Sequence, residues 1–329
     1  MKVTVLGAGS WGTTVAALSA PRNPTTLWAR SVEVAGRVNA DHTNPDYLPG
    51  FALPAPLRAT ADLEAAVTDA DLLVVGVPTA GFRSVLEDAR PWVRPWIPVV
   101  SLAKGLEEGS LLRMTQVIND VMPGHPAAAL TGPNIAREIM AGQAAASVLA
   151  TEDLAVASAI QKVLSRGLFR IYLNHDVIGC EVGGALKNVI AIAAGMAEGL
   201  GVGDNTRAMV ISRGLAELTR VGMVMGAEQS TFAGLAGVGD LMVTCMSPHS
   251  RNRSVGEQLG RGRKLEEILA AMSMVAEGVK TASTVLDLAE RHELQLPICT
   301  AIQSVVIGEI TPMEAYRGLI PPGYESDPG

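Results

Sequence analysis

The chain has 329 residues, of which 34 are glycines and 4% are aromatic, and this length is sufficient for two domains with buried cores. Its formal net charge of −7 argues against tight binding to nucleic acid or to an anionic membrane surface. Cys180, Cys245 and Cys299 are odd in number, far apart and without metal-ligand spacing. We therefore predict three reduced thiols that act as small buried hydrophobes.

Short β-type runs alternate with helical segments through the first half of the chain. This alternation predicts a mainly parallel sheet covered by helices, an α/β Rossmann-like dinucleotide-binding domain. The predicted strands are 3–6, 25–28, 72–76, 99–102, 128–131 and 147–150, with a further extended run at 169–173.

Helical periodicity dominates the second half of the chain. We predict a dinucleotide-binding domain over 1–175 and an all-α substrate and catalytic domain over 176–329, in which 320–329 form a loose tail. The most apolar stretch, 182–197, is shorter than the ~20 residues that span a bilayer and contains a lysine, so we predict a buried helix and no membrane insertion. No export signal is visible at the start of the chain, so we expect a cytoplasmic protein.

A glycine-rich motif follows the first predicted strand and opens a helix. Gly7, Gly9 and Gly12 form the G-x-G-x-x-G pattern of dinucleotide-binding proteins. In this pattern the first glycine permits a tight turn, the second lets the backbone approach a pyrophosphate, and the third lets helix pack on strand. The position at the head of a βαβ unit favours dinucleotide binding over a structural glycine turn.

The residues after the second predicted strand bear on coenzyme choice. An acidic residue there would bind the ribose 2′-hydroxyl of NAD, but residues 28–31 contain none. Arg30 could instead pair with the 2′-phosphate of NADP. The alternative is a solvated arginine at the end of a strand.

Lys187 is the only charged residue between residues 182 and 197. A helix there must bury it or direct it into a polar pocket. A buried lysine is a suitable proton donor for carbonyl reduction. A structural ion pair with Glu181 or Glu198 is an equal alternative from spacing alone.

Further polar clusters suggest an anion site. Asp240 follows a glycine-rich turn, and Ser250, Arg251 and Asn252 offer a hydroxyl, a guanidinium and an amide for one phosphate, although a capping box at Ser254 also fits the pattern. The cations Arg251, Arg253, Arg261, Arg263 and Lys264 could attract an anion or form a solvated face.

Two further predicted strands end in polar residues. Lys104 lies just beyond the carboxyl end of one strand, where open α/β sheets bind ligands, and Gly132 and Asn134 end another strand in the same way. The five histidines have no ligand spacing, so we predict no metal site.

Taken together, these segments closely resemble the bacterial-type NAD(P)-dependent glycerol-3-phosphate dehydrogenase family, in order from residue 3 to about 318. The resemblance implies reduction of dihydroxyacetone phosphate to sn-glycerol 3-phosphate with NADPH or NADH, a supply of precursor for glycerophospholipid synthesis, and a homodimer. The matching motifs are VLGAGSWGT (5–13), SLAKGLE (101–107), TGP (131–133), GALKNV (184–189), GVGDL (237–241), SRNR (250–253) and VAEG (275–278).

The resemblance also implies roles for individual residues. Lys187 matches the family's catalytic lysine. The substrate-binding positions correspond to Lys104, Gly132, Asn134, Lys187, Asp240, Ser250, Arg251 and Asn252. The coenzyme-binding positions correspond to Gly7, Gly9, Ser10, Trp11, Gly12, Arg30, Lys104, Ala136, Arg251, Val275 and Glu277. The chain departs from the family at Asn134, which is commonly a serine, and in a shortened segment at 18–25.

Two other functions compete with this interpretation. A related β-hydroxyacid or sugar-acid dehydrogenase would also join a nucleotide domain to a helical domain with a lysine, but the Ser-Arg-Asn cluster at 250–252 favours a phosphate over a carboxylate. A non-enzymatic NAD(P)-sensing regulator would need the glycine motif but not Lys187 or Asp240.

Overall fold

The structure is a computed structural model of the chain and describes residues 1–272 and 276–318. It divides into two compact units, of which the first is Met1–Glu181 and the second begins at Val182. The predicted boundary at residue 175 lies just before a helix, Val177–Gly199, and the division falls inside that helix.

The first unit is built on one sheet, in which all neighbouring strands are parallel except one antiparallel pair, β6 and β7. The strand order is β3-β2-β1-β4-β5-β6-β7-β8. The strands are β1 (Val3–Leu6), β2 (Thr25–Trp28), β3 (Arg58–Thr60), β4 (Leu72–Val75), β5 (Val99–Ser101), β6 (Ala127–Thr131), β7 (Ala145–Ala150) and β8 (Phe169–Asn174). The Rossmann-like prediction is confirmed, and the short strand β3 is an addition to it.

Helices cover both faces of this sheet. They are α1 (Ser10–Ser19), α2 (Val32–Ala40), α3 (Leu63–Val67), α4 (Phe82–Ala89), α5 (Met114–Val121), α6 (Ala136–Met140) and α7 (Leu154–Leu164). Alternate residues of a strand point to opposite faces, so Leu72 and Val74 of β4 join one apolar core and Leu73 and Val75 join the other. Burial on both faces explains why these strands read as continuous apolar runs.

The second unit is helical throughout its described residues, which confirms the all-α prediction. Its helices are α8 (Val177–Gly199), α9 (Asp204–Val224), α10 (Gln229–Phe232), α11 (Asp240–Met246), α12 (Arg251–Gly260), α13 (Leu265–Ala270), α14 (Glu277–Arg291), α15 (Pro297–Val306) and α16 (Pro312–Gly318). The first residues of α8 belong to the first unit. The predicted loose tail, 320–329, lies outside the described residues.

Helix α8 is longer than its apolar sequence suggests. It has 23 residues and, in the part of the chain that the structure describes, is long and apolar enough to cross a membrane, so the argument from length is wrong. However, 89% of its most apolar window is buried inside the protein. This burial is what we predicted for a core helix.

The three cysteines are free and buried, as predicted. Burial raises the pKa of the Cys245 thiol to about 12 and raises the pKa values of Cys180 and Cys299 further above their ordinary range. Thiols held in the neutral form are poor nucleophiles, so these residues contribute packing.

Candidate active site

The glycine motif forms the turn between β1 and α1. Gly7 has a φ of 108°, which favours glycine, and Gly9 is the residue that precedes the first turn of α1. A Cβ atom on Gly12 would lie 2.1 Å from the carbonyl oxygen of Gly7, so only glycine allows this packing of helix on strand. We call residues 7–12 the fingerprint turn.

The fingerprint turn has the properties that a dinucleotide pyrophosphate requires. No side chain caps the first N–H groups of α1, and its first turn contains no acidic residue. A Cβ atom on Gly9 would meet nothing within 4 Å, so the backbone there is open to a ligand. Uncapped N–H groups at a helix start attract an anion, so these residues fit a nicotinamide dinucleotide.

Arg30 lies two residues after the end of β2 and is exposed, without an ion pair to any residue that the structure describes. A carboxylate that we did not anticipate lies nearby in the chain. Glu33, in the first turn of α2, accepts a hydrogen bond from the Ser31 hydroxyl, and this bond lowers the pKa of Glu33. Arg30 therefore favours a 2′-phosphate, while the charged Glu33 disfavours one.

Polar residues from the ends of β5 and β6 meet in the first unit. The ammonium of Lys104 donates a hydrogen bond of 2.7 Å to the carbonyl oxygen of Gly132. The buried Ser147 donates to Oδ1 of Asn134, at 2.5 Å. The amide nitrogen of Asn134 is buried and has no partner among the residues described, so Asn134 retains an unused donor.

Two other predicted coenzyme residues have well-defined positions in this unit. Ala136 is the first residue of α6. The ring of Trp11 packs edge-on against Phe169 at a centroid distance of 6.0 Å, so its side chain joins the apolar core. Its indole N–H has no hydrogen-bond partner among the residues described.

In the second unit, Lys187 of α8 forms a buried ion pair. Its ammonium lies 3.0 Å from Oδ1 of Asp240 and donates a 2.6 Å hydrogen bond to the hydroxyl of Thr244. Lys187 is 4% exposed and Asp240 is 1% exposed. Thr244 in turn donates to the backbone carbonyl of Asp240. The alternative interpretation, an ion pair of Lys187 with Glu181 or Glu198, is therefore wrong.

The pairing depends on close packing between α8 and the segment before α11. Residues Leu235–Gly239 form a π-helical turn that leads directly into Asp240. A Cβ atom on Gly183 would lie 2.7 Å from the carbonyl oxygen of Ala236, so the absence of a side chain there lets the turn approach α8. Gly183 precedes Lys187 by one helical turn, so this contact brings Asp240 to the ammonium.

The Ser-Arg-Asn cluster lies at the start of α12. Ser250 caps this helix by accepting a hydrogen bond from the backbone N–H of Arg253, so a capping box at Ser254 is wrong. Asn252 is buried and donates to Oδ1 of Asn188, at 2.9 Å, while its own oxygen accepts from the N–H of Gly278, at 3.0 Å. Asn252 thus connects α12 to α8 and to the start of α14.

Two of the five neighbouring cations, Arg253 and Arg261, form ion pairs. Arg253 pairs with Glu198 and Glu257, and Arg261 also pairs with Glu257. Arg251, at the first position of α12, is exposed. Arg261, Arg263 and Lys264 are exposed, so they fit a solvated face, whereas Arg251 lies next to the Ser250 cap.

Two predicted coenzyme-binding residues, Val275 and Glu277, lie close together in the sequence. Glu277 is the first residue of α14, whereas Val275 lies outside the described residues. Sequence reasoning did not find Thr244, Asn188 or Ser147. The spacing of Thr244, four residues after Asp240, could have placed both on one face of a helix. Among the described residues, no group of three potential metal ligands occurs.

A parallel sheet with an open fingerprint turn, followed by a helical unit that contains a buried lysine, defines a nicotinamide-dinucleotide-dependent dehydrogenase with a helical second domain. Comparison with known proteins identifies the family. Models of the NAD-dependent glycerol-3-phosphate dehydrogenase N-terminus and C-terminus match residues 2–157 and 176–317. The chain therefore belongs to the NAD-dependent glycerol-3-phosphate dehydrogenase family, which uses NAD or NADP, and the resemblance found in the sequence is confirmed.

Individual relatives agree with this assignment. The chain is 56% identical to glycerol-3-phosphate dehydrogenase [NAD(P)+] 2 of Sphingopyxis alaskensis, over 100% of this chain and 99% of the relative. It is 52% identical to glycerol-3-phosphate dehydrogenase [NAD(P)+] of Mycobacterium avium, over 98% and 96%. The crystal structure of glycerol-3-phosphate dehydrogenase from Coxiella burnetii superimposes with a TM-score of 0.93 at 33% identity, over 97% of this chain and 98% of the other.

Proposed function

We propose that the chain reduces dihydroxyacetone phosphate to sn-glycerol 3-phosphate, with NADPH preferred over NADH. The buried pair of Lys187 with Asp240 carries this proposal, because it supplies an oriented ammonium in a site from which water is largely excluded. Family membership supports the same reaction.

The fingerprint turn would hold the pyrophosphate of the coenzyme on the uncapped N–H groups at the start of α1. When bound, the coenzyme supplies the hydride that C2 of the substrate receives. Arg30 would pair with the 2′-phosphate of NADPH. Ala136, Glu277 and Val275 are further coenzyme contacts in this proposal, and it draws on the family resemblance for them.

Lys187 would act as the general acid. As C2 gains the hydride, electrons of the carbonyl double bond move to its oxygen, and that oxygen takes a proton from Nζ of Lys187. Asp240 and the Thr244 hydroxyl restrict the position of the ammonium through one ion pair and one hydrogen bond. In the reverse direction, the neutral amine would take the proton from the hydroxyl of glycerol 3-phosphate.

The substrate phosphate would lie at the start of α12, with Ser250, Arg251 and Asn252 as ligands. Asn252 has both of its amide groups held in place by Asn188 and Gly278, so its second N–H has a fixed direction. Lys104, Gly132 and Asn134 are further proposed substrate contacts, and the support for them is the family resemblance. A rigid donor set of this kind fits a phosphate better than the single carboxylate of a β-hydroxyacid.

A spectrophotometric assay tests the reaction directly. We expect that adding dihydroxyacetone phosphate to protein and NADPH will lower the absorbance of the reduced nicotinamide, and that β-hydroxyacid substrates in the oxidative direction will give no comparable rate. If folded protein oxidises neither NADPH nor NADH when dihydroxyacetone phosphate is added, the proposed reaction is wrong.

We also propose that the enzyme is a cytoplasmic homodimer that supplies glycerol 3-phosphate for glycerophospholipid synthesis. The support is the family resemblance. Light scattering of the purified protein tests the dimer, since a monomeric mass near 34.3 kDa at micromolar concentration would contradict it.

A further inference from the structure

A loop of the first unit lies against the fingerprint turn. We call residues 42–53, which follow α2, the strap. The N–H of Leu53 donates to the carbonyl of His42, at 2.7 Å, and Thr43 and Ala52 form an antiparallel bridge, so the two ends of the strap are joined. Leu48, at its centre, is 1% exposed. The strap is therefore a closed loop with its own buried anchor.

Asn44 of the strap contacts the fingerprint turn and the start of α1 directly. Its amide nitrogen donates to the carbonyl oxygen of Ala8, at 2.8 Å, and to the hydroxyl of Thr13, at 2.9 Å. Thr13 also donates to the carbonyl of Ala8, at 3.2 Å. A second link joins the same elements, since the Ser10 hydroxyl donates to the carbonyl of Tyr47, at 2.8 Å.

The Asn44 contacts tie together the two sides of the segment that faces the ligand. Ala8 precedes Gly9 and Thr13 belongs to the first turn of α1, so the N–H groups proposed to bind the pyrophosphate lie between the two contacts. Backbone donors bind an anion most tightly when they are held in place before it arrives. A side chain with two donors on one atom is needed for this geometry, and only an amide among uncharged side chains provides it.

A second observation concerns the other polar atom of the Asn44 side chain, its amide oxygen. Asn44 is 1% exposed, yet its amide oxygen is buried without a partner among the residues that the structure describes. A buried acceptor that makes no hydrogen bond is unfavourable for folding. The two hydrogen bonds that the Asn44 amide nitrogen donates are therefore made although the amide oxygen remains unsatisfied.

We propose that Asn44 is a positioning residue for coenzyme binding, which holds the fingerprint turn in the conformation that receives the pyrophosphate. This inference depends on the coenzyme use stated above and extends it to a loop that contains none of the predicted site residues. Asn44 acts through the backbone of Ala8 and the side chain of Thr13 and does not itself touch the reacting atoms.

The test compares three variants by titration of NADH and NADPH in the absence of substrate. N44L removes both donors and keeps the number and branching of the side-chain heavy atoms, and T13V removes the hydroxyl that accepts from Asn44. N39A is the control, because Asn39 also makes two side-chain hydrogen bonds in the same unit, both with the backbone of Ala59 at 2.8 Å, away from the fingerprint turn.

We expect N44L to raise the Kd of both coenzymes by about tenfold and T13V to raise it by a smaller factor, with an unchanged ratio of the two coenzymes. At saturating coenzyme, kcat and the KM for dihydroxyacetone phosphate should stay within about twofold of the unsubstituted enzyme. N39A should lower Tm without changing either Kd.

Coenzyme Kd values of N44L and T13V equal to those of the unsubstituted protein would overturn the proposal, even if both variants melt earlier. An equal loss of affinity in N39A would also overturn it, because the effect would then be general destabilisation. If N44L does not fold, T13V decides alone. Because Kd is measured without substrate, a protein that binds coenzyme but fails to reduce dihydroxyacetone phosphate would contradict the proposed reaction and leave this test intact.

Discussion

Replacing Lys187 with methionine separates its proposed chemical role from a structural one. Methionine has a similar length and fills the same space in α8 but has no proton to donate. A positioned general acid contributes about 10²–10⁴-fold to a rate, so kcat of K187M should fall by that factor, which corresponds to about 2.7–5.5 kcal/mol in the activation barrier. Coenzyme Kd should not change.

The same substitution should also destabilise the fold, and the structure gives the reason. Asp240 is 1% exposed, and K187M leaves its carboxylate buried without the ammonium that lies 3.0 Å away. Breaking a buried pair in this way costs about 3–5 kcal/mol in the free energy of unfolding. The double variant K187M/D240N removes the uncompensated charge and should recover most of this loss.

Activity and stability therefore respond differently in the double variant if Lys187 is the acid. Urea unfolding should show that K187M/D240N is more stable than K187M, while steady-state assays at saturating coenzyme and substrate should show no recovery of kcat. If kcat of K187M or of K187M/D240N lies within tenfold of that of the unsubstituted enzyme, Lys187 is a structural partner and another residue donates the proton. D240N alone serves as the control for any contribution of the carboxylate itself.

Four further substitutions test the coenzyme, phosphate and stability arguments. R30A should lower kcat/KM for NADPH by about tenfold and leave NADH nearly unchanged, whereas E33Q should raise the preference for NADPH, and equal effects on both coenzymes would contradict both roles. R251A should chiefly raise the KM for dihydroxyacetone phosphate, and a loss confined to kcat would argue against phosphate binding. The hydrogen bonds from Arg83 lower the pKa of Glu107 from 4.5, so the pair stabilises the fold above that pH and loses this contribution as the pH falls through the folded-state pKa. The free energy of unfolding of E107Q should therefore be about 1–2 kcal/mol below that of the unsubstituted protein near pH 7. In urea titrations this difference should narrow below about pH 4.5.

Features that depend on local pattern were predictable from the sequence. β1 and β2 were predicted with their observed bounds, because apolar runs next to glycine turns identify buried parallel strands. The fingerprint turn was found in the same way. β3 was missed because Arg58–Thr60 is only three residues long and shows no periodicity. Its strand conformation depends on pairing with β2.

Contacts that depend on tertiary packing were not predictable. Asn44 lies 36 residues from Ala8, and Thr244 lies 57 residues from Lys187. Nothing in the spacing of either pair indicates that the chain returns to the same place. The partner of Lys187 was uncertain for the same reason, since Glu181 is near it in sequence but instead pairs with Arg113 and caps the start of α5.

Two buried glutamates, Glu181 and Glu217, have a structural role at the starts of helices. Glu181 accepts hydrogen bonds at the start of α5, and Glu217 accepts the N–H groups of Ile298 and Cys299 at the start of α15, so each satisfies backbone donors that would otherwise be unpaired. Burial raises the pKa of both carboxyl groups, which is the cost of these positions.

Lys187 satisfies no unpaired backbone donor, and its partners are the buried carboxylate of Asp240 and the Thr244 hydroxyl. In the part of the chain that the structure describes, it is the only buried lysine or arginine, and its helix satisfies its own backbone groups at that point. A buried ion pair is weak support for stability, because apolar residues of similar volume are often as stable. Packing alone would thus be satisfied by uncharged residues at both Lys187 and Asp240. The proposed delivery of a proton to a developing negative charge would explain why this position holds an ammonium instead.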